Sequence, residues 1–349
     1  MESKGSFVFS ATSATLRWLL GGVVVCIAVG AIYLHSWTTV AARTAESVDA
    51  QPEESDEPIQ PIQALLQLDP RKVALGQKLF DDPRLSHDNK ISCATCHSLK
   101  NGGADGKARS IGIHGAAGVI NAPTVLNSGF NFSQFWDGRA DTLEEQIDGP
   151  IQSEVEMGST WPEVVDKLGT TKEYDRVFHE IYNDGVQSDH IKNSIAEFER
   201  SLTTPNSRFD RYLRHDKNAL STREQEGYKL FKSIGCASCH QGVGVGGNMY
   251  QKMGVMVPYF GADAAISRAD RGRFNVTGDP RDMYMFKVPS LRNVELTAPY
   301  FHDGSAITLD DAVRTMGKHQ LGHPLTDEQV GLIVAFLKTL TGQLNGKPL

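Results

Sequence analysis

The chain contains 349 residues and carries a formal net charge of −7, with 40% hydrophobic and 22% charged residues. This length accommodates about two domains, each large enough to bury a core of its own. The acidic balance and the lack of a long basic run exclude nucleic acid as an expected partner.

The first 45 residues predict export. An apolar run from Trp18 to Leu34 follows the basic residues Lys4 and Arg17, which is the pattern of a secretory signal. The run exceeds the usual signal core of about 7–15 residues and reaches the lower limit of a membrane-spanning helix. A cleaved signal and a membrane anchor therefore both remain open for residues 1–45. Residues 46–64 are rich in acidic residues and Pro and predict a flexible acidic linker.

Two Cys-x-x-Cys-His boxes predict two covalently attached haem c groups. In such a box each thiol adds to a haem vinyl group, and the adjacent His binds the iron. Zinc would require further Cys or His ligands within about 12–20 residues, and thioredoxin-like chemistry a βαβ context, and neither is present. The fifth cysteine, Cys26, lies in the apolar run, so no pair is left for a structural disulfide. The attachment and proximal residues are Cys93, Cys96, His97, Cys236, Cys239 and His240.

An internal repeat divides the body of the chain into two haem modules. Three short elements recur in the same order around the boxes, which predicts a duplication with modules at residues 65–205 and 206–349. The matched elements are Gly76-Gln-Lys-Leu-Phe80 with Gly227-Tyr-Lys-Leu-Phe231, Pro123-Thr-Val-Leu-Asn127 with Pro289-Ser-Leu-Arg-Asn293, and Trp136-Asp-Gly with His302-Asp-Gly.

The same region predicts an all-α fold, mainly helical with long loops. Strand-like alternation is nearly absent, and a helical period runs through residues 328–340. A second helix is predicted from Thr308 to Met316, with Gly317 as its C-cap. Residues 241–286 are rich in Gly and Met and predict a long loop. Capping signals that open predicted helices begin at Ser221, Thr308 and Thr326.

The side chain opposite each proximal His decides whether the iron transfers electrons or binds a substrate. In the C-terminal module, the thioether of Met316 would give His/Met ligation and a high potential. A Met packed in the core is the ordinary alternative. Other side chains compete for the same position, namely Met249, Met253, Met256, Met283, Met285, His319 and His323.

The repeat carries Met316 back onto Met157 of the N-terminal module, directly after Glu156. The corresponding wall of the first haem site therefore offers a carboxylate, which can act as a general acid or base. The alternative is a solvated loop glutamate. His114, in a Gly-rich stretch, is able to reach the first iron, and His87 is the other candidate.

Together these residues resemble the bacterial di-haem cytochrome c peroxidases over about residues 65–345. The resemblance implies that the N-terminal haem is the peroxide site, with His97 as proximal ligand and His114 as a removable distal ligand. It also implies that Glu156 is the catalytic carboxylate. Besides both haem boxes, the motifs that carry the resemblance are Asn121-Ala-Pro-Thr-Val-Leu-Asn127, Phe135-Trp-Asp-Gly138, Glu156-Met-Gly158, Lys287-Val-Pro-Ser-Leu-Arg-Asn293, Leu296-Thr-Ala-Pro-Tyr-Phe-His-Asp-Gly304 and Ala312-Val-Arg-Thr-Met316.

For the C-terminal module the resemblance implies an electron-transfer haem ligated by His240 and Met316. Electrons would pass inward by Trp136, between the two haems. A structural calcium ion at the boundary between the modules is implied as well, with waters completing an oxygen shell. Its implied ligands are the side chain of Asn121 and the backbone carbonyls of Thr297 and Pro299.

The implied reaction is the reduction of hydrogen peroxide to water in the periplasm. A small c-type cytochrome or a cupredoxin would donate the electrons, and the family is commonly homodimeric. One rival is a di-haem cytochrome that only carries electrons. The other is the related di-haem enzyme that matures a tryptophan-derived quinone on a partner protein. That enzyme uses a Tyr ligand where Met316 stands here, so Met316 favours the peroxidase.

Overall fold

The computed structural model describes residues 56–63, 67–261 and 265–349. The predicted export segment at 1–45 and most of the predicted acidic linker lie outside these described residues. Within the described residues, no helix has the length and apolar character needed to cross a membrane.

Helices dominate the described residues, and strands form only two short antiparallel pairs there, in agreement with the predicted all-α fold. Strand β1 (Tyr250–Lys252) pairs with β2 (Met285–Lys287), and β3 (Gln343–Leu344) pairs with β4 (Lys347–Pro348). The α-helices are α1 (Pro70–Phe80), α2 (Cys93–Cys96), α3 (Leu143–Gln152), α4 (Trp161–Gly169), α5 (Lys172–Tyr182), α6 (Ser188–Ser201), α7 (Arg208–Leu213), α8 (Thr222–Ser233), α9 (Phe274–Thr277), α10 (Leu309–His319) and α11 (Asp327–Lys338). Short 3₁₀ turns are Pro83–Leu85, Leu99–Asn101, Ile113–Gly115, Ser128–Phe130, Cys236–Ser238, Ala269–Arg271, Pro280–Asp282 and Val294–Leu296.

Helix starts follow the predicted capping signals, whereas one helix end does not. The prediction that the helix after Thr308 ends at Met316, with Gly317 as its C-cap, is wrong, because α10 continues to His319. Gly317 is buried inside this helix, and a Cβ there would lie 2.7 Å from Cγ of Leu325. The glycine therefore permits close packing rather than a helix end. The predicted N-caps that form capping boxes are Ser221, Thr308 and Thr326.

The repeated glycines lie where two helix pairs cross closely, α1 with α6 and α8 with α11. A Cβ on Gly76 would lie 1.9 Å from the carbonyl oxygen of Ser194. A Cβ on Gly227 would lie 2.0 Å from the carbonyl oxygen of Leu332. Because both obstacles are helical backbone, the two helices of each pair could accommodate a side chain only by moving apart.

Replacing Gly227 by Ala should therefore destabilise the C-terminal module. Overpacking of this kind costs about 1–3 kcal/mol of unfolding free energy. Gly169→Ala is the matched control, since a Cβ there meets no atom within 4 Å. Chemical denaturation of both variants measures the difference, and equal stability of the two would contradict this explanation of the repeat.

The two Pro-to-Asn elements of the repeat meet at one residue, Thr204. Both asparagines adopt left-handed backbone, with φ of 62° at Asn127 and 60° at Asn293. Asn127 Nδ2 donates to Thr204 Oγ1 at 2.8 Å, and Asn293 Nδ2 donates to the same oxygen at 3.0 Å. Thr204 precedes the predicted module boundary by one residue. The duplicated elements are thus held together, with their backbones in matching conformations.

Each half of the repeat contributes its own hydrophobic core. The buried residues of one core come from 75–202, and those of the other are Ile59 and residues from 209–340. Helices α1, α3, α4, α5 and α6 contribute to the first core, and α7, α8, α10 and α11 to the second.

The described end of the predicted acidic linker packs against the C-terminal core instead of remaining flexible. Ile59 is fully buried and forms a parallel bridge with Gly242. Arg292, also buried, donates to the Asp210 carboxylate at 2.6 Å and to the carbonyl oxygen of Gln60 at 2.9 Å. An apolar anchor and a paired buried arginine thus order a segment whose composition alone predicts flexibility.

Candidate functional site

The first Cys-x-x-Cys-His box forms the single helical turn α2 and places His97 at its end. The His97 N–H donates to the carbonyl of Cys93 at 2.9 Å. Nδ1 of His97 lies 3.4 Å from the carbonyl oxygen of Gly103. Burial lowers the pKa of His97, which favours the neutral ring. With Nδ1 as the donor to this carbonyl, the lone pair of Nε2 is available to an iron ion.

The second box forms a 3₁₀ turn, Cys236–Ser238, and places His240 shortly after it. The His240 N–H donates to the carbonyl of Cys236 at 3.0 Å. Burial lowers the pKa of His240 to about 4, although the carbonyls of Val245 and Pro289 oppose the shift. Nδ1 of His240 is buried and has no hydrogen-bond partner among the described residues. Burial therefore keeps the imidazole of His240 neutral, which is the form that binds iron.

A cavity of about 370 Å³ lies beside the second box. Cys236, Cys239 and His240 all line it, so both thiols and the imidazole open into one space. The four described cysteines form no disulfide. Two thiols for the vinyl groups and a neutral His for the iron, in a largely apolar cavity, fit a haem c group.

The same cavity narrows the choice of the sixth ligand in the C-terminal module. Met316 and Met253 both line it. His319 does not line it, and the Nδ1 of His319 lies 3.0 Å from the carbonyl oxygens of Val257 and Pro258. The other competing side chains do not line this cavity; they are Met249, Met256, Met283, Met285 and His323. Met316 stays the predicted ligand, with Met253 as its remaining methionine competitor.

The N-terminal module brings the segment of His114 against the backbone of Glu156. The Ile113 N–H donates to the carbonyl of Glu156 at 2.8 Å. A Cβ on Gly112 would lie 2.7 Å from Cα of Glu156, so the two segments are in close backbone contact. His114 itself adopts left-handed backbone, with φ of 55°, and its side chain is exposed. His87, the alternative, instead pairs with Glu163 at 3.0 Å.

The Glu156 side chain lies near the first haem attachment site. Burial raises the pKa of the Cys96 thiol, and the negative charges of Asp105 and Glu156 raise it further. Burial also raises the pKa of Glu156, partly offset by a hydrogen bond from Ser153 and by the charge of Arg139. A half-buried carboxyl with a raised pKa is suited to gaining and losing protons near neutral pH.

Trp136 belongs to the N-terminal module but lines the cavity of the C-terminal module. Its Nε1 donates to the carbonyl of Asn121 at 2.9 Å, and its own carbonyl accepts from the Lys287 N–H at 2.8 Å. The ring packs edge to face on His302, with centroids 6.4 Å apart. The repeat-equivalent residues Trp136 and His302 therefore meet where the modules join.

The three predicted calcium ligands line this cavity as well. Asn121 Nδ2 donates to the carbonyl of Lys107 at 2.8 Å, which leaves its Oδ1 available to a cation. Thr297 and Pro299 flank a single residue, so their carbonyls belong to one short loop. Oxygen ligands of this type suit calcium.

Sequence reasoning missed two buried ionisable side chains near the haem boxes. Lys287 is 8% exposed and Glu199 is 6% exposed. Burial raises the pKa of Glu199 to about 8. The available signals were weak: Lys287 stands between two apolar residues in a matched motif, and Glu199 continues the apolar face of α6 after Ile191 and Ile195.

Comparisons with known proteins cover both modules. The family described as "Di-haem cytochrome c peroxidase" matches residues 70–218, and the family described as "Cytochrome c" matches residues 224–341. The chain is 49% identical over 308 residues to "Cytochrome c peroxidase Ccp" of Escherichia coli, covering 87% of this chain and 66% of that protein. It is 51% identical over 290 residues to "Cytochrome c551 peroxidase" of Nitrosomonas europaea, covering 82% of this chain and 85% of that protein.

One solved structure extends the comparison to the fold. The crystal structure of "a MauG-like protein associated with microbial copper homeostasis" superposes with a TM-score of 0.71 at 30% identity. The superposition covers 84% of this chain and 96% of that one. The arrangement of two cytochrome modules is therefore shared along nearly the whole length of that protein.

Proposed function

The chain belongs to the di-haem cytochrome c peroxidase family, whose two haem boxes it carries, and we propose that it reduces hydrogen peroxide to water at the N-terminal haem site. Electrons enter at the C-terminal site of His240 and Met316. A small c-type cytochrome or a cupredoxin delivers them one at a time.

One observation carries this proposal: the two haem sites differ in the side chains beside them. The N-terminal site has a half-buried carboxyl, Glu156, with the His114 segment against its backbone. The C-terminal site has a thioether, Met316, in its cavity wall. A thioether fills an iron position and supports electron transfer, whereas a carboxyl handles protons. Different tasks for the two sites follow from this asymmetry.

Glu156 supplies the proton transfers of the reaction. When bound, the two haems supply a ferric iron for peroxide and a store for electrons. Glu156 accepts the proton from the peroxide oxygen nearer the iron and returns it to the farther oxygen, which leaves as water. Over the whole reaction, one peroxide would take up two electrons and two protons and give two waters. Trp136, in the wall of the C-terminal cavity, lies on the route of those electrons.

The proposal requires that one peroxide oxidise two molecules of a one-electron donor. We expect the holoprotein to oxidise a reduced small c-type cytochrome at this ratio, measured by donor absorbance at limiting peroxide. A protein that consumes no peroxide, or that oxidises a quinone precursor on a partner protein instead, would contradict it. Met316 in place of the Tyr of the maturation enzyme favours the peroxidase.

His114 acts as the removable distal ligand, so its removal should leave the N-terminal iron open in every redox state. We expect His114→Ala protein to react with peroxide in the fully oxidised form, in which the parent reacts slowly. His87→Ala is the matched control, because His87 pairs with Glu163 at the surface. Rapid mixing of oxidised protein with peroxide makes the measurement. If only the His87 variant gained reactivity, His87 would be the distal ligand.

We assign the calcium site to Oδ1 of Asn121 and the carbonyls of Thr297 and Pro299, with waters. Asn121 also holds Trp136 through its carbonyl. We expect Asn121→Ala to weaken calcium binding by more than about tenfold. Loss of the ion should also slow electron transfer between the modules. Calorimetric titration of chelator-treated protein with calcium tests the assignment, and equal affinity in parent and variant would contradict it.

Two features of the sequence support a location outside the cytoplasm. Attachment of haem c and the apolar run at residues 18–34 support export to the periplasm, either free or anchored. We also propose a homodimer.

A further inference from the structure

Lys287 is a buried cation for which the described protein supplies no counter-charge. Lys287 is 8% exposed. Burial is the one influence on its pKa, with no contribution from a charged or hydrogen-bonding group among the described residues. Its backbone position is fixed, because it pairs with Tyr250 across the β1–β2 ladder and its N–H donates to the carbonyl of Trp136 at 2.8 Å. An unpaired buried ammonium group is costly, which points to a partner outside the polypeptide.

The partner has to lie in the haem cavity. Lys287 lines the cavity that also holds Cys236, Cys239 and His240. Among the described residues in this lining, Lys287 is the only Lys, Arg, Asp or Glu. Haem c brings two propionate carboxylates into the space it fills. The cavity thus offers one fixed cation to a cofactor with two negative groups.

We propose that Lys287 binds a propionate carboxylate of the haem attached to Cys236 and Cys239 and raises the reduction potential of that haem. Reduction adds one negative charge, so a nearby ammonium group stabilises the reduced form. The inference requires haem at this site but not peroxide turnover, so the two proposals can fail separately.

A propionate would also offset the effect of burial on the charge of Lys287. Burial alone lowers the pKa of Lys287 to about 8. A carboxylate within about 4–6 Å favours the charged form of an amine. The propionate would therefore keep the ammonium group protonated, and the lysine would keep the propionate ionised.

The test compares Lys287→Met, which removes the charge at similar length, with Lys287→Arg, which keeps it. Lys252→Met is the matched control, since Lys252 lies on the adjacent strand β1 with an exposed side chain. Spectroelectrochemical titration of each holoprotein gives the two haem potentials. We expect reduction of one haem in Lys287→Met to become about tenfold less favourable. Its reduction potential should therefore fall by about 59 mV, the equivalent of a tenfold change for one electron. Lys287→Arg and Lys252→Met should stay close to the parent.

Infrared difference spectra of the redox change provide a second readout. The propionate carboxylate bands should shift in Lys287→Met and not in Lys252→Met. The proposal would be overturned if both haem reduction potentials of Lys287→Met equalled those of the unmodified protein within error. If Lys287→Met fails to assemble with haem while Lys287→Arg assembles, the charge requirement is supported. If neither assembles, Lys287 has a packing role and the proposal fails.

Discussion

Replacing Glu156 by Gln should lower the turnover number for peroxide by about 10²–10⁴-fold, the usual contribution of a general acid or base. The amide keeps the shape of the side chain but cannot carry the proton between the two peroxide oxygens. The hydrogen bond from the Ile113 N–H to the Glu156 carbonyl does not depend on the Glu156 side chain, so the segment that carries His114 should keep its position. Steady-state kinetics with a reduced c-type cytochrome, at matched haem content, measures the loss.

Glu154→Gln is the matched control, because Glu154 lies two residues away with an exposed side chain. It should retain the turnover of the parent. The pH profile adds a second criterion. The base must be deprotonated, so activity falls as pH drops through the pKa of Glu156, and burial raises that pKa above the usual range. This acid limb should disappear in Glu156→Gln. Unchanged turnover with normal haem spectra would remove Glu156 from the mechanism.

Replacing Met316 by His should have the largest effect on electron entry. Axial ligands move haem potentials over a range of about 0.8 V, and Met in place of His raises the potential. We therefore expect the reduction potential of one haem in Met316→His to fall by a substantial part of that range. Reduction by the donor cytochrome should then become rate-limiting and slow by more than about tenfold. Redox titration and rapid-mixing reduction make the two measurements.

Met253→Leu distinguishes the two methionines that line the cavity. Leu preserves most of the volume of a packed Met, so this variant should keep both potentials if Met253 is only a packing residue. A large fall in potential in Met253→Leu, together with a small one in Met316→His, would identify Met253 as the ligand instead.

Local chemistry made much of the fold predictable. Capping boxes depend on residues three apart, and Ser221 and Thr326 begin helices as predicted. The internal repeat could be recognised in the sequence because duplicated contacts require the same residue types in both modules. Gly76 and Gly227 at the helix crossings are an example. Gly317 gave the wrong helix end, because a glycine needed for close packing and a glycine at a C-cap look identical in sequence.

Features that depend on contacts between distant segments could not be predicted. Ile59 and Arg292 are 233 positions apart, yet together they order a segment whose composition resembles a flexible linker. No sequence pattern marks Lys287 as a buried cation, because the segments that pack beside it, at Trp136 and Tyr250, are distant in the chain. The meeting of Trp136 with His302 likewise requires the modules to be joined.

The coordination of the two irons in half-reduced protein tests the central claim most directly. Electron paramagnetic resonance and optical spectra, recorded after one-electron reduction and again after one equivalent of peroxide, report both sites. We predict that one iron has lost its distal protein ligand and is oxidised by peroxide at once, while the other keeps two axial protein ligands. If both irons retain two protein ligands and neither responds to peroxide, only the function of an electron carrier remains.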